Sequence, residues 1–180
     1  MRHLGTQKIT TKRMVLRRFD MSDARDMFNN WCSDAEAPRF FTWRPHSCIS
    51  ETKSILREWI EKYEDEKYYH WVITNKANDE AIGYIYLDNI DEFDKSADVH
   101  YLICQKYRNM GAATEALKAV IEFAFYEADF SLIGSYHHES NPASGRVMQK
   151  SGMLYVKKEY RSSSESSLSG NYIYYEIKKR

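Results

Sequence analysis

Apolar and polar positions alternate along residues 8–19, where Ile9, Thr11, Met14 and Leu16 interleave with polar neighbours, and this period of two predicts an opening strand. The run Asp20-Met21-Ser22-Asp23 then supplies capping side chains for a helix over residues 22–31. Residues 32–50 read as a long loop carrying Phe40, Phe41, Trp43, Arg44 and His46. A loop with that many large apolar groups is expected to do more than connect. From Ser50 the period changes to that of a helix, with Ile55, Leu56, Trp59, Ile60 and Tyr63 on one face.

Strand periodicity returns at residues 68–74 and 80–87, joined by the turn-forming Asn75-Lys76-Ala77-Asn78-Asp79. An acidic loop over 88–95 and a strand over 97–104 follow. Residues 111–127 are helical, with Ala113, Ala116, Leu117, Val120, Ile121 and Ala124 on one face. A strand (131–136), a short helix (142–150) and two strands (153–160 and 172–177) complete the pattern. The serine-rich run 161–170 lacks apolar anchors and reads as a mobile hairpin loop. The order is β-αα-βββ-α-β-α-ββ. Three strands joined by short turns predict an antiparallel meander, and the strand-helix-strand crossover predicts a parallel pair beside it. The expectation is one α/β domain, a mixed, mainly antiparallel sheet flanked by helices on both faces.

Composition narrows the class. The chain has 180 residues, 43% hydrophobic and 29% charged, enough for one domain with a real core. Lys plus Arg and Asp plus Glu number 26 each, a balance that argues against a nucleic-acid binder, which must neutralise phosphates. Fourteen tyrosines suit a strand-rich fold or an aromatic pocket. Three cysteines without C-x-x-C spacing speak against a zinc site or disulfide framework and for a reducing, cytoplasmic setting. No apolar run approaches the roughly 18 residues that span a bilayer, and residues 1–10 lack the apolar stretch of a signal peptide. His137-His138 has no third ligand at suitable spacing, so no metal is expected.

The segment Arg108-Asn109-Met110-Gly111-Ala112-Ala113-Thr114 lies between a predicted strand and a strong helix. Gly111 can adopt angles that a side chain forbids, and small residues after it let a ligand reach the main chain. The first N–H groups of a helix have no internal partner, and the helix dipole adds positive potential there. Together these form an anion site suited to a phosphate or pyrophosphate, to which Arg108 adds charge. An ordinary surface turn is the competing reading. Neither a Walker loop nor a G-x-G-x-x-G fingerprint is present.

A second segment, Asn141-Pro142-Ala143-Ser144-Gly145-Arg146-Val147-Met148-Gln149-Lys150-Ser151-Gly152-Met153, lies one strand downstream. The pair closely resembles the GNAT N-acetyltransferase superfamily, whose Q/R-x-x-G-x-G/A signature is matched by Arg108, Gly111 and Ala113. The segment just given, the opening Thr11-Lys12-Arg13-Met14-Val15-Leu16-Arg17 and the strand Glu80-Ala81-Ile82-Gly83-Tyr84-Ile85 resemble the RimJ/RimL-like branch, which includes ribosomal-protein N-terminal acetyltransferases. The resemblance implies a GNAT domain over residues 9–178, with the parallel strands splayed at a coenzyme A site. There are departures. Asn109 stands where the branch usually has glycine, Ala112 replaces a common aromatic, and Asp98 and His100 alter the A-E-I-G-Y strand. Met148 occupies the position of a catalytic tyrosine in many relatives and cannot donate a proton.

The resemblance implies acetyl-CoA as donor and direct attack of an amine, a protein N-terminal α-amine or a small-molecule amine, on the thioester. It puts main-chain groups of Leu102, Ile103 and Cys104 beside the pantetheine arm. N–H groups of Asn109, Met110, Gly111, Ala112, Ala113 and Thr114 then meet the pyrophosphate, with Arg108, Asn141, Ser144 and Arg146 completing the cofactor site. Ser144 is the candidate donor to the leaving thiolate, and Asn141 the candidate for the reacting region. A departing thiol with a pKa near ~8.5 needs only a modest donor, and a helix-capping hydroxyl is the other reading of Ser144. Asp98 and His100, two apart on one strand, share a face and are candidates for the base; a solvated strand face is the alternative. Phe41, Trp43, Tyr84 and Tyr101 are candidates for acceptor binding. Cys104 reads as a buried strand residue rather than a nucleophile. A catalytically silent acyl-CoA-binding or sensing domain is the competing function, and the chain is expected to be a monomer or homodimer.

Overall fold

Thr11 turns the opening segment back on itself. Its N–H donates to the Met14 carbonyl (2.9 Å) and its hydroxyl oxygen accepts from the Met14 N–H (3.0 Å). The single strand expected over 8–19 is therefore two short antiparallel ones, β1 (Ile9–Thr10) and β2 (Met14–Arg17). The computed structural model describes residues 1–41, 43–163 and 168–180. Asp20 opens the first helical segment with a reciprocal cap: its side chain accepts from Ser22 N–H, and Asp23 accepts from the Asp20 N–H. That segment is less regular than expected, a 3-10 turn (Met21–Asp23), one α turn, α1 (Ala24–Met27), and a π turn (Phe28–Cys32).

After α2 (Ile49–Glu61) come β3 (Tyr69–Asn75), β4 (Ala81–Asp91) and β5 (Ser96–Ile103), the expected antiparallel meander. β4 runs four residues past its expected end, so Asp88 belongs to a strand and not to an acidic loop. α3 (Ala112–Tyr126) crosses to β6 (Leu132–His138), and α4 (Pro142–Lys150) leads to β7 (Leu154–Arg161) and β8 (Gly170–Lys178). Of the expected hairpin loop, residues 164–167 lie outside the described residues, while Arg161 and Gly170 are paired ends of β7 and β8.

The eight strands form one sheet in the order β1-β2-β3-β4-β5-β6-β8-β7. Alternation along each strand sends successive side chains to opposite faces. Tyr69 and Trp71 pack on Phe123 of α3, with ring centroids 6.3 and 5.6 Å apart. From the other face His70 and Tyr84 meet Trp59 of α2 (4.4 and 6.3 Å). Gly83 allows β4 to lie close to β5: a Cβ there would sit 2.1 Å from the Leu102 carbonyl oxygen. Among the described residues no helix is long and apolar enough to cross a membrane.

Candidate active site

β5 and β6 are the only neighbouring parallel strands among the described residues, and they stay together for three pairs, ending at Asp98 and Gly134. One residue further on, the Ser135 hydroxyl donates to the Val99 carbonyl (2.8 Å), and beyond it the ladder stops. A sheet interrupted in its middle leaves unpaired strand edges facing each other. The gap opens into a cleft of about 1230 Å³ that reaches from the N-terminus of α3 to Tyr136 and Tyr172.

The α3 end is built for an anion. Asn109 and Gly111 take left-handed backbone angles, with φ of 61° and 78°. Asparagine tolerates that region better than most residues, which explains how Asn109 adopts it without being glycine. None of the main-chain N–H groups of residues 109–114 donates to a protein acceptor among the described residues, and Gly111 offers no side-chain cap. Six unspent donors at the head of a 15-residue helix concentrate positive potential. Arg108, Arg146 and Lys150 also line the cleft. Arg108 Nε is turned back onto the Ile103 carbonyl (3.1 Å), fixing the strand end to the turn.

The expected main-chain surface of β5 needs correction. Cys104 N–H is spent on Ile82 of β4 (2.8 Å), and Cys104 does not line the cleft. Because main-chain groups alternate in direction along an antiparallel edge, Ile103 and Tyr101, rather than Leu102 and Cys104, turn theirs toward the gap. Burial pushes the Cys104 thiol above its ordinary range, as expected of an inert strand cysteine. Met110 is 60% exposed and outside the cleft, its carbonyl accepting from Arg13 (2.8 Å).

α4 begins where the expected motif places it. Asn141 is its N-cap, with Oδ1 accepting from Ser144 N–H (3.4 Å). That cap leaves the Ser144 hydroxyl free of helix duty, and the hydroxyl meets Tyr101 OH at 2.9 Å. Tyr101 OH also donates to the Ser144 carbonyl (3.0 Å). Burial holds the Tyr101 phenol above its ordinary pKa, so it stays a donor at neutral pH. Met148 is buried at 1% exposure.

On the opposite face, Asp98 and His100 do not form the pair expected of them. Asp98 Oδ2 accepts from Asn89 Nδ2 (3.0 Å), and Asp98 does not line the cleft. His100 Nε2 instead meets Asp88 Oδ1 at 3.0 Å. The His100 side chain is 12% exposed, stacked on Tyr86 (5.0 Å) and set edge-on to Tyr136 of β6 (5.1 Å), so it is no solvated strand face. Tyr84 is buried against Trp31, Trp59 and Tyr86. Phe41 and Trp43 lie 6.3 Å apart on the cleft wall. His70, buried among Phe19, Trp59, Tyr84 and Tyr86, is pushed by burial down to about 3, with Nδ1 bonded to Tyr68 OH (2.8 Å).

Asp88, Tyr86 and Tyr136 escaped the sequence reading. The alternation Tyr84, Tyr86, Asp88 was the available signal, hidden because β4 was ended at 87. Among the described residues no cluster of three or more His, Cys, Asp or Glu could hold a metal.

Residues 13–154 match the model of the acetyltransferase (GNAT) domain. YoaA of Bacillus subtilis (strain 168), an uncharacterized N-acetyltransferase, is 25% identical over 144 residues, 80% of this chain and 81% of YoaA. The crystal structure of a GNAT-family acetyltransferase from Bacillus anthracis superposes with a TM-score of 0.82 at 19% identity, covering 96% of this chain and 98% of that one. The ribosomal-protein-S5-alanine acetyltransferase of Vibrio fischeri superposes with a TM-score of 0.77 at 18% identity, covering 96% of both chains. An anion cradle beside a split parallel pair, together with these matches, defines the class of protein. The chain belongs to the GNAT acetyltransferase family and is an enzyme of that family.

Proposed function

We propose that this chain uses acetyl-CoA to acetylate a primary amine by direct attack, through a GNAT domain spanning residues 9–178. The observation that carries the reading is the row of unspent N–H groups over 109–114, all but that of Met110 on residues lining the cleft where β5 and β6 part. That cradle and gap fit a pyrophosphate with an extended arm: the N–H groups and Arg146 hold the phosphates, and Ile103 and Tyr101 offer main-chain groups to the arm. Acetyl-CoA supplies an activated acetyl group as a thioester.

The chain's own residues do the rest. Cleft walls from β5, β6 and α4 hold the two reactants in line, which replaces a bimolecular encounter by a positioned one. As the amine lone pair forms the C–N bond and the C–S bond breaks, the Ser144 hydroxyl donates to the departing sulfur, with Asn141 capping the helix that presents it. His100 lies at the mouth of the gap, where the amine proton must leave. Phe41, Trp43 and Tyr84 wall the acceptor side.

For the acceptor, the reading is a protein N-terminal α-amine or a small-molecule amine of the kind handled by the RimJ/RimL-like branch. The name of the Vibrio fischeri neighbour, a ribosomal-protein-alanine acetyltransferase, supports the first. Three free cysteines, one of them exposed, suit a reducing cytoplasm. The test is release of free thiol from acetyl-CoA in the presence of α-amino peptides, polyamines and aminoglycosides. Amine-dependent release supports the reading; coenzyme A binding without turnover on any amine contradicts it.

A further inference from the structure

Both strands flanking β5 at the mouth of the gap, β4 and β6, contribute side chains around one imidazole. His100 is sandwiched between Tyr86 of β4 and Tyr136 of β6, and its Nε2 lies 3.0 Å from Asp88 Oδ1. Asp88 is diagonal to His100 across the β4–β5 ladder, since Tyr86 is opposite His100 and Asp98 opposite Asp88. A carboxylate accepting from Nε2 keeps the proton on that nitrogen and leaves the Nδ1 lone pair free. Nδ1 has no hydrogen-bond partner among the described residues, and His100 lines the cleft.

We infer that Asp88 and His100 form a dyad in which His100 Nδ1 is the base that takes the amine proton and Asp88 is the positioning residue that sets its tautomer. The inference rests on the amine-acetylation reading above. In the step, the amine nitrogen gives its lone pair to the carbonyl carbon, and its N–H proton passes to Nδ1. The C–S pair leaves with sulfur. Asp88 accepts from Nε2–H throughout and stabilises the imidazolium, which returns its proton to water after product leaves. The Asp88 carboxylate 3.0 Å away fixes which imidazole nitrogen is left open to the cleft. The other groups facing this imidazole are the Tyr86 and Tyr136 phenols. Asp98, on its own strand, is engaged by Asn89, and Arg161 sits over the far side of Tyr136 at 4.1 Å.

The test pairs kinetics with NMR on the full-length protein carrying nitrogen-15 histidine. The expected spectrum of the wild type shows the Nε2–H tautomer of His100. Asp88→Asn removes that tautomer preference and lowers kcat roughly tenfold or more, with coenzyme A affinity unchanged. Asp88→Glu restores most of both. The same His100 tautomer in wild type and Asp88→Asn overturns the dyad. The NMR arm needs no turnover, so a wild type that acetylates no amine overturns the proposed function separately and leaves the dyad decided by its tautomer.

Discussion

Tyr101 of β5 and Ser144 of α4 are joined across the split sheet, the phenol oxygen 2.9 Å from Ser144 Oγ and 3.0 Å from its carbonyl. The bond ties the first turn of α4 to the strand on the far side of the gap. It also fixes where the serine hydroxyl points, on the helix that buries Met148. Ser144→Ala is therefore expected to lower kcat more than it raises KM in steady-state assays. An unaltered kcat removes Ser144 from the chemistry.

Tyr101→Phe keeps the ring and deletes the tie. The phenol contacts both Ser144 Oγ and its carbonyl, and hydrogen bonds of this kind are worth about 1 kcal/mol each, so a loss of thermal stability is expected together with a fall in kcat of about fivefold to tenfold. If Ser144→Ala abolishes the effect of Tyr101→Phe in a double-mutant cycle, the phenol acts through the serine; additive effects contradict that.

Gly111→Val tests the anion cradle. At φ 78° a β-branched residue is strained, and its side chain crowds the main chain that a phosphate must approach. Affinity for coenzyme A in titration calorimetry is expected to drop at least tenfold. Unchanged affinity refutes the placement of the pyrophosphate.

Gly83→Ala tests the sheet that supports the site. The added methyl would overlap the Leu102 carbonyl at 2.1 Å, main chain that cannot step aside without parting β4 from β5. Urea denaturation is expected to show a loss of about 3 kcal/mol. A variant as stable as the wild type is incompatible with this strand register.

Acid stability follows from His70. In the unfolded chain an imidazole binds a proton near ~6.5, whereas buried His70 stays neutral down to about 3. Between those values the unfolded state holds a proton that the native state lacks, so stability falls as pH drops through that window. Burial lowers His46 and His137 in the same direction. The expected slope from His70 is at most about 1.4 kcal/mol per pH unit, and His70→Phe should remove it in denaturation curves taken between pH 4 and 7. A slope unchanged by the substitution contradicts the assignment.

The fold was legible wherever local chemistry is strong. The Pro142–Lys150 helix, the meander and the α3 crossover all follow from periodicity and caps. Gly83, part of the family-like strand motif, has a physical reason in the approach of Leu102. The left-handed turn before α3 was readable because it depends on a few consecutive residues. The proposed base was only half readable. His100 and Asp98 share a face by spacing, but which carboxylate reaches the imidazole depends on the β4–β5 register, and that placed Asp88 there. Tyr101 was assigned to the acceptor from its strand; its bond to Ser144 arises from how α4 docks, a long-range fact that spacing does not encode.

A crystal structure of the protein with acetyl-CoA tests the central claim most directly. The expected density shows the pyrophosphate on the N–H groups of residues 109–114, the arm between β5 and β6, and the thioester sulfur within hydrogen-bond reach of Ser144 Oγ on one side and the carbonyl carbon open to His100 on the other. Acetyl-CoA bound elsewhere, or with its thioester remote from Ser144 and His100, would contradict the account.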